Sequence, residues 1–294
     1  MLAFLSTSAN ILSAGANHPM VRSSWHKPWS ATIRHLLDLD RYPLDRPESR
    51  EYSALIAQCQ VELAAQGMFN LHGFVRVAAI EQAAAEIMPL AERISYTHQR
   101  RHNVYFVEQV AGLPADHPAL RQFDTVHHTL CDDQLTGTVV QRIYEWTPLV
   151  TFLARVMGKQ QLFVMQDPLA RLNVMDYRTG EALNWHFDRS QFTTTLLIQA
   201  AEQGGEFEYR SDLRSDTDPN YAGVARLLRG EDPDIHVNRL AGGTLNVFKG
   251  KNTLHRISPV RGNRKRLVAV FSYYDRPDVM FSREERIGFF GRDA

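Results

Sequence analysis

The chain has 294 residues, of which 33 are basic (Lys and Arg) and 33 acidic, so its formal net charge is zero. Proteins that bind nucleic acids or membrane surfaces normally carry a basic excess, and the balanced charge therefore disfavours both classes. No apolar stretch approaches the roughly 20 residues that a membrane-spanning helix needs. A hydrophobic content of 44% predicts a sizeable buried core, and the expected partner is a small molecule.

The cysteines and the N-terminal residues indicate where the protein works. Only Cys59 and Cys131 occur, and they form no CxxC pair. Two cysteines are too few for a disulfide scaffold, which favours a reducing, cytoplasmic setting. Residues 1–28 are rich in Ser, Ala and Asn and lack a basic segment ahead of their first apolar residues. We therefore expect a flexible tail and no secretory signal, with Met20 as a candidate alternative start.

Residues 29–160 are predicted to be mostly helical. A first helical face is formed by Ile33, Leu36 and Leu37, and residues 38–47 break it. The further predicted elements are a helix that begins at Asp45 and ends at Gly67, a strand over 68–75, a helix over 80–90 that Pro89 kinks or shortens, a strand over 103–107, and helices over 138–146 and 148–157, the second capped by Thr147. We expect this region to support a sheet and to wall one side of a functional site.

Four histidines in this region, His98, His102, His127 and His128, suggest a second metal site. Two of them, His127 and His128, are adjacent, so on a helix their side chains would point about 100° apart. The nearby Cys131 completes no recognised zinc spacing. We therefore interpret these histidines without a metal.

From residue 162 the sequence changes to short β-prone runs separated by turn residues. The predicted strands cover 170–177, 184–188, 191–199 and 207–209, and others lie near Ile235, Leu245 and Leu267. Residues 211–230 form a charged insertion with a short helix over 221–228, where a lid is expected. The fold class is thus α+β, with an eight-stranded double sheet over residues 161–294, and residues 29–294 are expected to form one compact domain.

The stretch around His186 carries the chemistry. His186 and Asp188 are two apart on a predicted strand, so their side chains project to one face while Trp185 and Phe187 face the other way. A distant strand supplies His255. Two histidines and a carboxylate on one face leave coordination positions open opposite, the arrangement of non-haem Fe(II) oxygenases. A His-x-Asp pair alone is more often a hydrogen-bonded pair.

The strand that follows His255 strengthens the oxygenase interpretation. Arg266 lies at its start, eleven residues past His255. A guanidinium there can hold a dicarboxylate co-substrate through two parallel charged hydrogen bonds.

Together these motifs resemble the catalytic jelly roll of the Fe(II)/2-oxoglutarate-dependent dioxygenases over residues 172–274. The matching pattern is His186-x-Asp188, Gly204-Gly205, Gly243-x-Leu245-x-x-Phe248, His255-Arg-x-x-Pro259-Val260 and Arg266. Residues 204–209 with 214–221 further resemble the BesD-type group, which halogenates or hydroxylates free amino acids.

The resemblance implies a double-stranded β-helix (cupin-like) core, Fe(II) bound by His186, Asp188 and His255, and 2-oxoglutarate as co-substrate with O2. Arg266 would neutralise the far carboxylate of 2-oxoglutarate. The alternative is Arg264, which lies two residues earlier and is expected to share the strand face of Arg266. In halogenases of this group a small residue stands at the carboxylate position and chloride takes the vacated place. Because Asp188 is present, the resemblance implies hydroxylation, with release of succinate and CO2.

The substrate residues are less well defined by the sequence. Arg189 lies at the pocket rim if the strand turns there, and a cation would then favour a carboxylate-bearing substrate; the alternative is an ion pair with Glu206 or Glu208. Asn173 and Tyr177 are four apart on one strand and so share a face, which makes them candidate pocket residues.

Three other functions share some of these features. A peptidyl (prolyl-type) hydroxylase shares the motif around His255, a nucleic-acid demethylase would use the basic residues 261–266, and a jelly roll that binds metal without oxygenase activity keeps the histidines but does not need Arg266. A monomer and a homodimer are both compatible with the sequence.

Overall fold

The computed structural model describes residues 30–293, and the predicted tail over 1–28 lies outside them. The α-helices are α1 (Ser30–Leu36), α2 (Arg50–Gln66), α3 (Val77–Ile94), α4 (Val139–Tyr144), α5 (Thr147–Val156), α6 (Tyr221–Leu228) and α7 (Arg283–Phe290). The strands are β1 (Met68–Leu71), β2 (Tyr96–His102), β3 (Phe123–Cys131), β4 (Phe163–Val164), β5 (Leu172–Tyr177), β6 (Leu183–His186), β7 (Thr193–Gln199), β8 (Phe207–Arg210), β9 (His236–Asn238), β10 (Leu245–Phe248), β11 (Leu254–Ile257), β12 (Arg266–Phe271) and β13 (Tyr273–Tyr274). None of the described helices is both long and apolar enough to cross a bilayer.

The strands form a large and a small antiparallel sheet that make a jelly roll. The large sheet has the order β1-β10-β7-β12-β5-β3-β2 and the small sheet the order β6-β11-β8-β9, while β13 and β4 pair separately. The eight consecutive strands β5 to β12 divide equally between the two sheets. The predicted eight-stranded double sheet is therefore confirmed, and β1, β2 and β3 extend one of its sheets.

The two faces of the large sheet bury different sets of side chains. On β5, Leu172 and Val174 belong to a core shared with the helices α1 to α5. The opposite face of β5 carries Tyr177. This residue belongs to a second core together with small-sheet residues such as Phe207 and Ile257. Because successive strand residues point to opposite faces, the helices cover one side of the large sheet and the space between the sheets lies on the other.

The helices differ from expectation mainly at their ends. Helix α2 begins five residues after Asp45, because the Ser49 hydroxyl accepts a hydrogen bond from the Tyr52 amide and caps it. Its predicted end is confirmed at Gly67, which has a φ of 73°. Helix α3 continues past Pro89 to Ile94. Helix α5 begins at Thr147, so the N-cap position is held by Trp146, whose side chain makes no capping hydrogen bond.

The region 29–160 also contributes strands that the sequence pattern did not predict. The predicted strand over 103–107 is wrong: Phe106 there has a left-handed φ of 56°, which no strand accommodates. The strand instead precedes it as β2, whose sequence YTHQRRH lacks an apolar alternation because its side chains are mostly exposed. Its partner β3 places His127 and His128 on opposite faces of a sheet and not on a helix.

Candidate metal centre

The three predicted metal ligands meet at the small sheet. Strands β6 and β11 pair with His186 opposite His255, and the two imidazole centroids lie 4.2 Å apart. Strand β6 ends at His186, but Asp188 still turns to the same side because its amide donates a 3.0 Å hydrogen bond to the Gly250 carbonyl. One ligand atom from each of the three residues lies within 4.8 Å of the others.

Each histidine is oriented by the main-chain carbonyl two residues before it. The His186 Nδ1 atom lies 2.8 Å from the Asn184 carbonyl oxygen, and the His255 Nδ1 atom lies 2.9 Å from the Thr253 carbonyl oxygen. A carbonyl only accepts, so each Nδ1 atom is the protonated donor, and in the neutral ring Nε2 keeps a free lone pair. Burial, together with the nearby His186, lowers the pKa of His255 to about 4 despite the attraction of Asp188. The neutral ring that a metal requires is thus present at pH 7.

The Asp188 carboxylate is held between both rings. Its oxygens lie 3.4 Å from His186 Nε2 and 3.6 Å from His255 Nε2, and the Thr193 hydroxyl donates a 2.5 Å hydrogen bond to one of them. Burial alone would raise the pKa of Asp188, but His255, His186 and Thr193 outweigh it and hold the pKa far below its usual value. A Cβ atom on Gly250 would come within 2.5 Å of the carboxylate, so only glycine leaves it room.

The far side of β6 is apolar, as the alternation predicted. Trp185 and Phe187 are buried together with residues of α6 such as Val224. Arg214 stacks its guanidinium 4.0 Å from the Phe187 ring centroid and also lies 3.4 Å from the Asp188 carbonyl oxygen. The predicted insertion over 211–230 therefore contacts the back of the metal-ligand segment.

Arg266 faces this site from the large sheet and has no counter-ion. It is only 5% exposed, and its Nη1 atom is buried without a hydrogen-bond partner. Within residues 30–293 no carboxylate forms an ion pair with it, and its nearest aromatic neighbour is Tyr177, with the guanidinium carbon 5.7 Å from the ring centroid. Burial lowers the pKa of Arg266 to about 10, so it remains charged at pH 7. A buried, unpaired cation of this kind fits a bound carboxylate.

Space for Arg266 depends on a neighbouring glycine. Gly205 has a φ of 60°, and a Cβ atom there would lie 3.0 Å from Arg266 Cδ. The Gly204-Gly205 pair of the sequence pattern thus has a physical role beside the guanidinium.

Two other predicted site residues, Arg264 and Arg189, are exposed and bind other groups. Arg264 precedes β12, is exposed and donates to the Ala201 carbonyl, so it does not share a strand face with Arg266. Arg189 is 70% exposed and pairs with Glu285 at 2.6 Å. The predicted partners of Arg189 are wrong, because Glu206 pairs with Arg239 and Glu208 with Arg256.

The two candidate pocket residues on β5 have different environments. Tyr177 is fully buried beside Arg266 and close enough to Asp188 for that carboxylate to raise its pKa, although burial is the larger cause. Asn173 lies at the opposite end of the strand, and its amide donates a 2.7 Å hydrogen bond to the Leu169 carbonyl. Its polar group is therefore engaged by the main chain.

Sequence reasoning missed Thr193 and Gly250, which fix the carboxylate. No local pattern marks either residue. Their positions follow from the pairing of β7 with β10, in which Thr193 lies opposite Phe248, two residues before Gly250.

Comparisons with known proteins agree with this fold. The sequence model of a family described as HalD, Halogenase D, matches residues 52–286. No curated protein sequence matches the chain. The solved structure of AviO1 from Streptomyces viridochromogenes is 14% identical, with a TM-score of 0.52 over 76% of this chain and 96% of AviO1.

Two further solved structures have a similar architecture. The non-haem α-ketoglutarate-dependent epimerase SnoN of nogalamycin biosynthesis is 13% identical, with a TM-score of 0.52 over 76% of this chain and 82% of SnoN. A prolyl hydroxylase from Trichoplax adhaerens, solved with a hypoxia inducible factor peptide, is 11% identical, with a TM-score of 0.50 over 79% of this chain and 96% of that one. At such identities the likeness is one of fold, and it confirms the predicted jelly roll.

Proposed function

The chain belongs to the halogenase D family, and from this premise we propose that it is an Fe(II)- and 2-oxoglutarate-dependent oxygenase that hydroxylates an unactivated C–H bond of a small carboxylate. The likeness of residues 204–221 to BesD-type enzymes supports a free amino acid or a close relative as the substrate. We also propose that residues 29–294 act as one compact unit, since α1 to α5 share a core with the large sheet.

The Asp188 carboxylate is the observation that favours hydroxylation over halogenation. It lies within 3.6 Å of both histidine Nε2 atoms, and it is fixed by the Thr193 hydroxyl and by the packing at Gly250. A carboxylate held in this way keeps its coordination position, and no small residue vacates a place for chloride. Two imidazoles and one carboxylate also make the donor set that suits Fe(II) in oxygenases.

When bound, Fe(II) with 2-oxoglutarate supplies the O2-dependent oxidation of a C–H bond with release of succinate and CO2. The protein residues do the rest. His186 and His255 present preset Nε2 lone pairs, Thr193 holds the Asp188 carboxylate, and Arg266 would bind the far carboxylate of 2-oxoglutarate through its unpaired guanidinium. The buried rings of Tyr177 and Phe207 line the same inter-sheet space and exclude water from it.

A spectroscopic titration tests this assignment. Anaerobic addition of Fe(II) and 2-oxoglutarate to the protein is expected to produce a visible charge-transfer band. Arg266→Ala should weaken the 2-oxoglutarate dependence of that band, and the matched control Arg264→Ala should not, because Arg264 is exposed and lies outside the strand. A wild-type protein that gives no band, or an Arg266→Ala variant that titrates like wild type, contradicts the co-substrate site.

Halogenation is the second candidate, because the matching family carries that name. Product analysis separates the two reactions. We expect the wild-type protein in chloride buffer to add one oxygen atom to its substrate, with no dependence on chloride. A product in which chlorine replaces hydrogen would contradict the role that we give to Asp188.

A further inference from the structure

The inner face of β2 and β3 carries a group of basic side chains that the proposed chemistry does not use. His98, Arg100 and His102 alternate along β2 and therefore point to one face. On the paired strand, His127 lies directly opposite His98, with their ring centroids 4.9 Å apart. Arg100 is the diagonal neighbour of His127 across the pair. We call these four residues the basic wall.

The basic wall lacks a counter-ion. The charged neighbour that acts on Arg100 is Arg189, and those that act on His102 are His186, Arg100 and His98. None of these neighbours is acidic, and burial is the largest cause that lowers the pKa values of Arg100 and His102. Arg189 itself is already paired with Glu285. Among residues 30–293, no carboxylate forms an ion pair with Arg100.

One polar atom of the wall is buried without a partner. His127 is 6% exposed, and its Nδ1 atom accepts or donates no hydrogen bond among the described residues. Leaving such an atom unsatisfied destabilises the folded protein. A ligand that reaches this atom would therefore recover a penalty that the folded protein carries.

The wall borders both the metal ligands and the co-substrate arginine. The Phe106 ring stacks on His102 at 4.6 Å and under the Arg100 guanidinium at 4.7 Å, and its centroid lies 6.2 Å from that of His186. At the other end, His127 lies 5.6 Å from Tyr177 between ring centroids, and Tyr177 in turn lies beside Arg266.

Phe106 is held in place although its backbone is strained. Its φ of 56° is unfavourable for a residue with a side chain. The buried Asn103 side chain bridges this turn, because its oxygen accepts from the Tyr105 and Val107 amides and its nitrogen donates 2.6 Å to the Val107 carbonyl. Strain maintained in this way is typical of a functional position.

We propose that the basic wall is the substrate subsite of this enzyme and that it selects a small molecule of net negative charge, whose carboxylate pairs with Arg100 while a polar atom beside it meets His127 Nδ1. This inference rests on the proposed oxygenase function and narrows it. A ligand ammonium would find no free carboxylate on the wall, so an acidic amino acid or a dicarboxylate fits better than a basic amino acid.

The test uses isosteric acid and amide probes on the full chain loaded with Fe(II) and saturating 2-oxoglutarate, without oxygen. L-glutamate is compared with L-glutamine and L-aspartate with L-asparagine, and binding is followed by the shift of the visible band. We expect at least one acid to bind about tenfold or more tightly than its amide, the range of a charge-assisted hydrogen bond. Amides that bind as well as the acids, or acids that do not bind at all, overturn the proposal.

Two variants locate the effect. Arg100→Gln should remove the preference for the acid, and Arg100→Lys should restore part of it. The matched control is Arg101→Gln, because Arg101 is also exposed but lies on the opposite face of β2. Loss of the band itself in Arg100→Gln, or an equal loss for acid and amide, would assign Arg100 a structural role and overturn the proposal, whereas absence of the band in wild type would instead count against the oxygenase function.

Discussion

The metal-binding corner on the small sheet and the opposing surface on the large sheet differ in how far their polar groups are satisfied. At the metal corner, each ligand has a partner from the protein: His186 and His255 each bond a main-chain carbonyl, and Asp188 accepts from Thr193. On the opposing surface, Arg266 Nη1 and His127 Nδ1 are both buried without a hydrogen-bond partner in the described part of the chain. The first region is preorganised by the protein alone, whereas in the proposed enzyme the second would be completed by ligands.

This difference has a physical cause. The lone pairs at a metal centre must be held in place before the ion arrives, so the supporting hydrogen bonds belong to the protein. An anion-binding site instead needs a cation without a protein partner, because a protein carboxylate placed beside Arg266 would compete with the ligand carboxylate. Unsatisfied groups on the large sheet therefore indicate binding, and satisfied ones on the small sheet indicate positioning.

Removing a metal ligand should have the largest effect. We expect His255→Ala to abolish the Fe(II)/2-oxoglutarate band and turnover, since one imidazole of the three-ligand set is lost. Iron content after anaerobic loading and desalting is the measurement. The control is His236→Ala, an exposed histidine on β9 of the same sheet. If His255→Ala retains stoichiometric iron, the ligand assignment is wrong.

Replacing Arg266 should separate function from stability. Truncating one partner of a buried charge pair costs about 2–5 kcal/mol of binding, so Arg266→Met should weaken 2-oxoglutarate affinity roughly 30-fold or more. The ligand-free protein should keep or gain thermal stability, because an uncompensated buried charge is replaced by an apolar side chain. A melting curve without 2-oxoglutarate and a titration with it check both parts. A large loss of stability in the ligand-free variant would mean that Arg266 has a structural partner.

Replacing Asp167 should have the opposite effect on stability, because this buried carboxylate has hydrogen-bond partners within the protein. It accepts hydrogen bonds from the Leu169, Ala170 and Phe281 amides and pairs with Arg286 at 2.7 Å. We expect Asp167→Asn to lower the free energy of unfolding by about 3–5 kcal/mol, since Arg286 loses its carboxylate partner.

The pH dependence of this effect follows from the Asp167 pKa. Burial would raise it, but the hydrogen bonds from Arg286 and the main chain outweigh burial and leave the pKa lowered. A carboxyl with a lowered folded pKa contributes stability above its unfolded pKa and loses that contribution as the pH falls through the folded value. The stability difference between wild type and Asp167→Asn should therefore be constant near neutrality and shrink below about pH 4. Denaturant unfolding at several pH values measures it, and a difference that grows on acidification would contradict the ion pair.

Sequence patterns predicted the metal corner better than the opposing surface because the corner is built from local relations. The alternation of Trp185, His186 and Phe187 places one side chain on the ligand face, and each imidazole bonds the main-chain carbonyl two residues earlier in the chain. Helix α6 likewise appears at its predicted residues because its apolar spacing is regular.

The opposing surface depends on pairing between distant segments, which no local pattern records. Strand β2 is polar on both faces, so no hydrophobic alternation in its sequence predicts a strand. Its conformation becomes evident only from its pairing with β3. No local pattern predicts the ion-pair partner of Arg189 either, because Glu285 lies 96 residues away on helix α7, which the sequence did not predict. Charge and polarity that serve a ligand also weaken the hydrophobic periodicity on which prediction relies.

Thr193 offers the smallest and most selective change at the metal corner. Thr193→Val keeps the shape of the side chain but removes the hydroxyl that donates to Asp188, and the loss of such a supporting hydrogen bond typically costs 10–100-fold in metal affinity. The same substitution at Thr195, two residues further along β7, is the matched control because it changes the same atoms without contact to the carboxylate. Competition for Fe(II) against a calibrated chelator gives the affinity. If both variants bind iron like wild type, the carboxylate is fixed by the packing at Gly250 alone, and Gly250→Ala, which brings a methyl group onto that oxygen, becomes the change that must weaken iron binding.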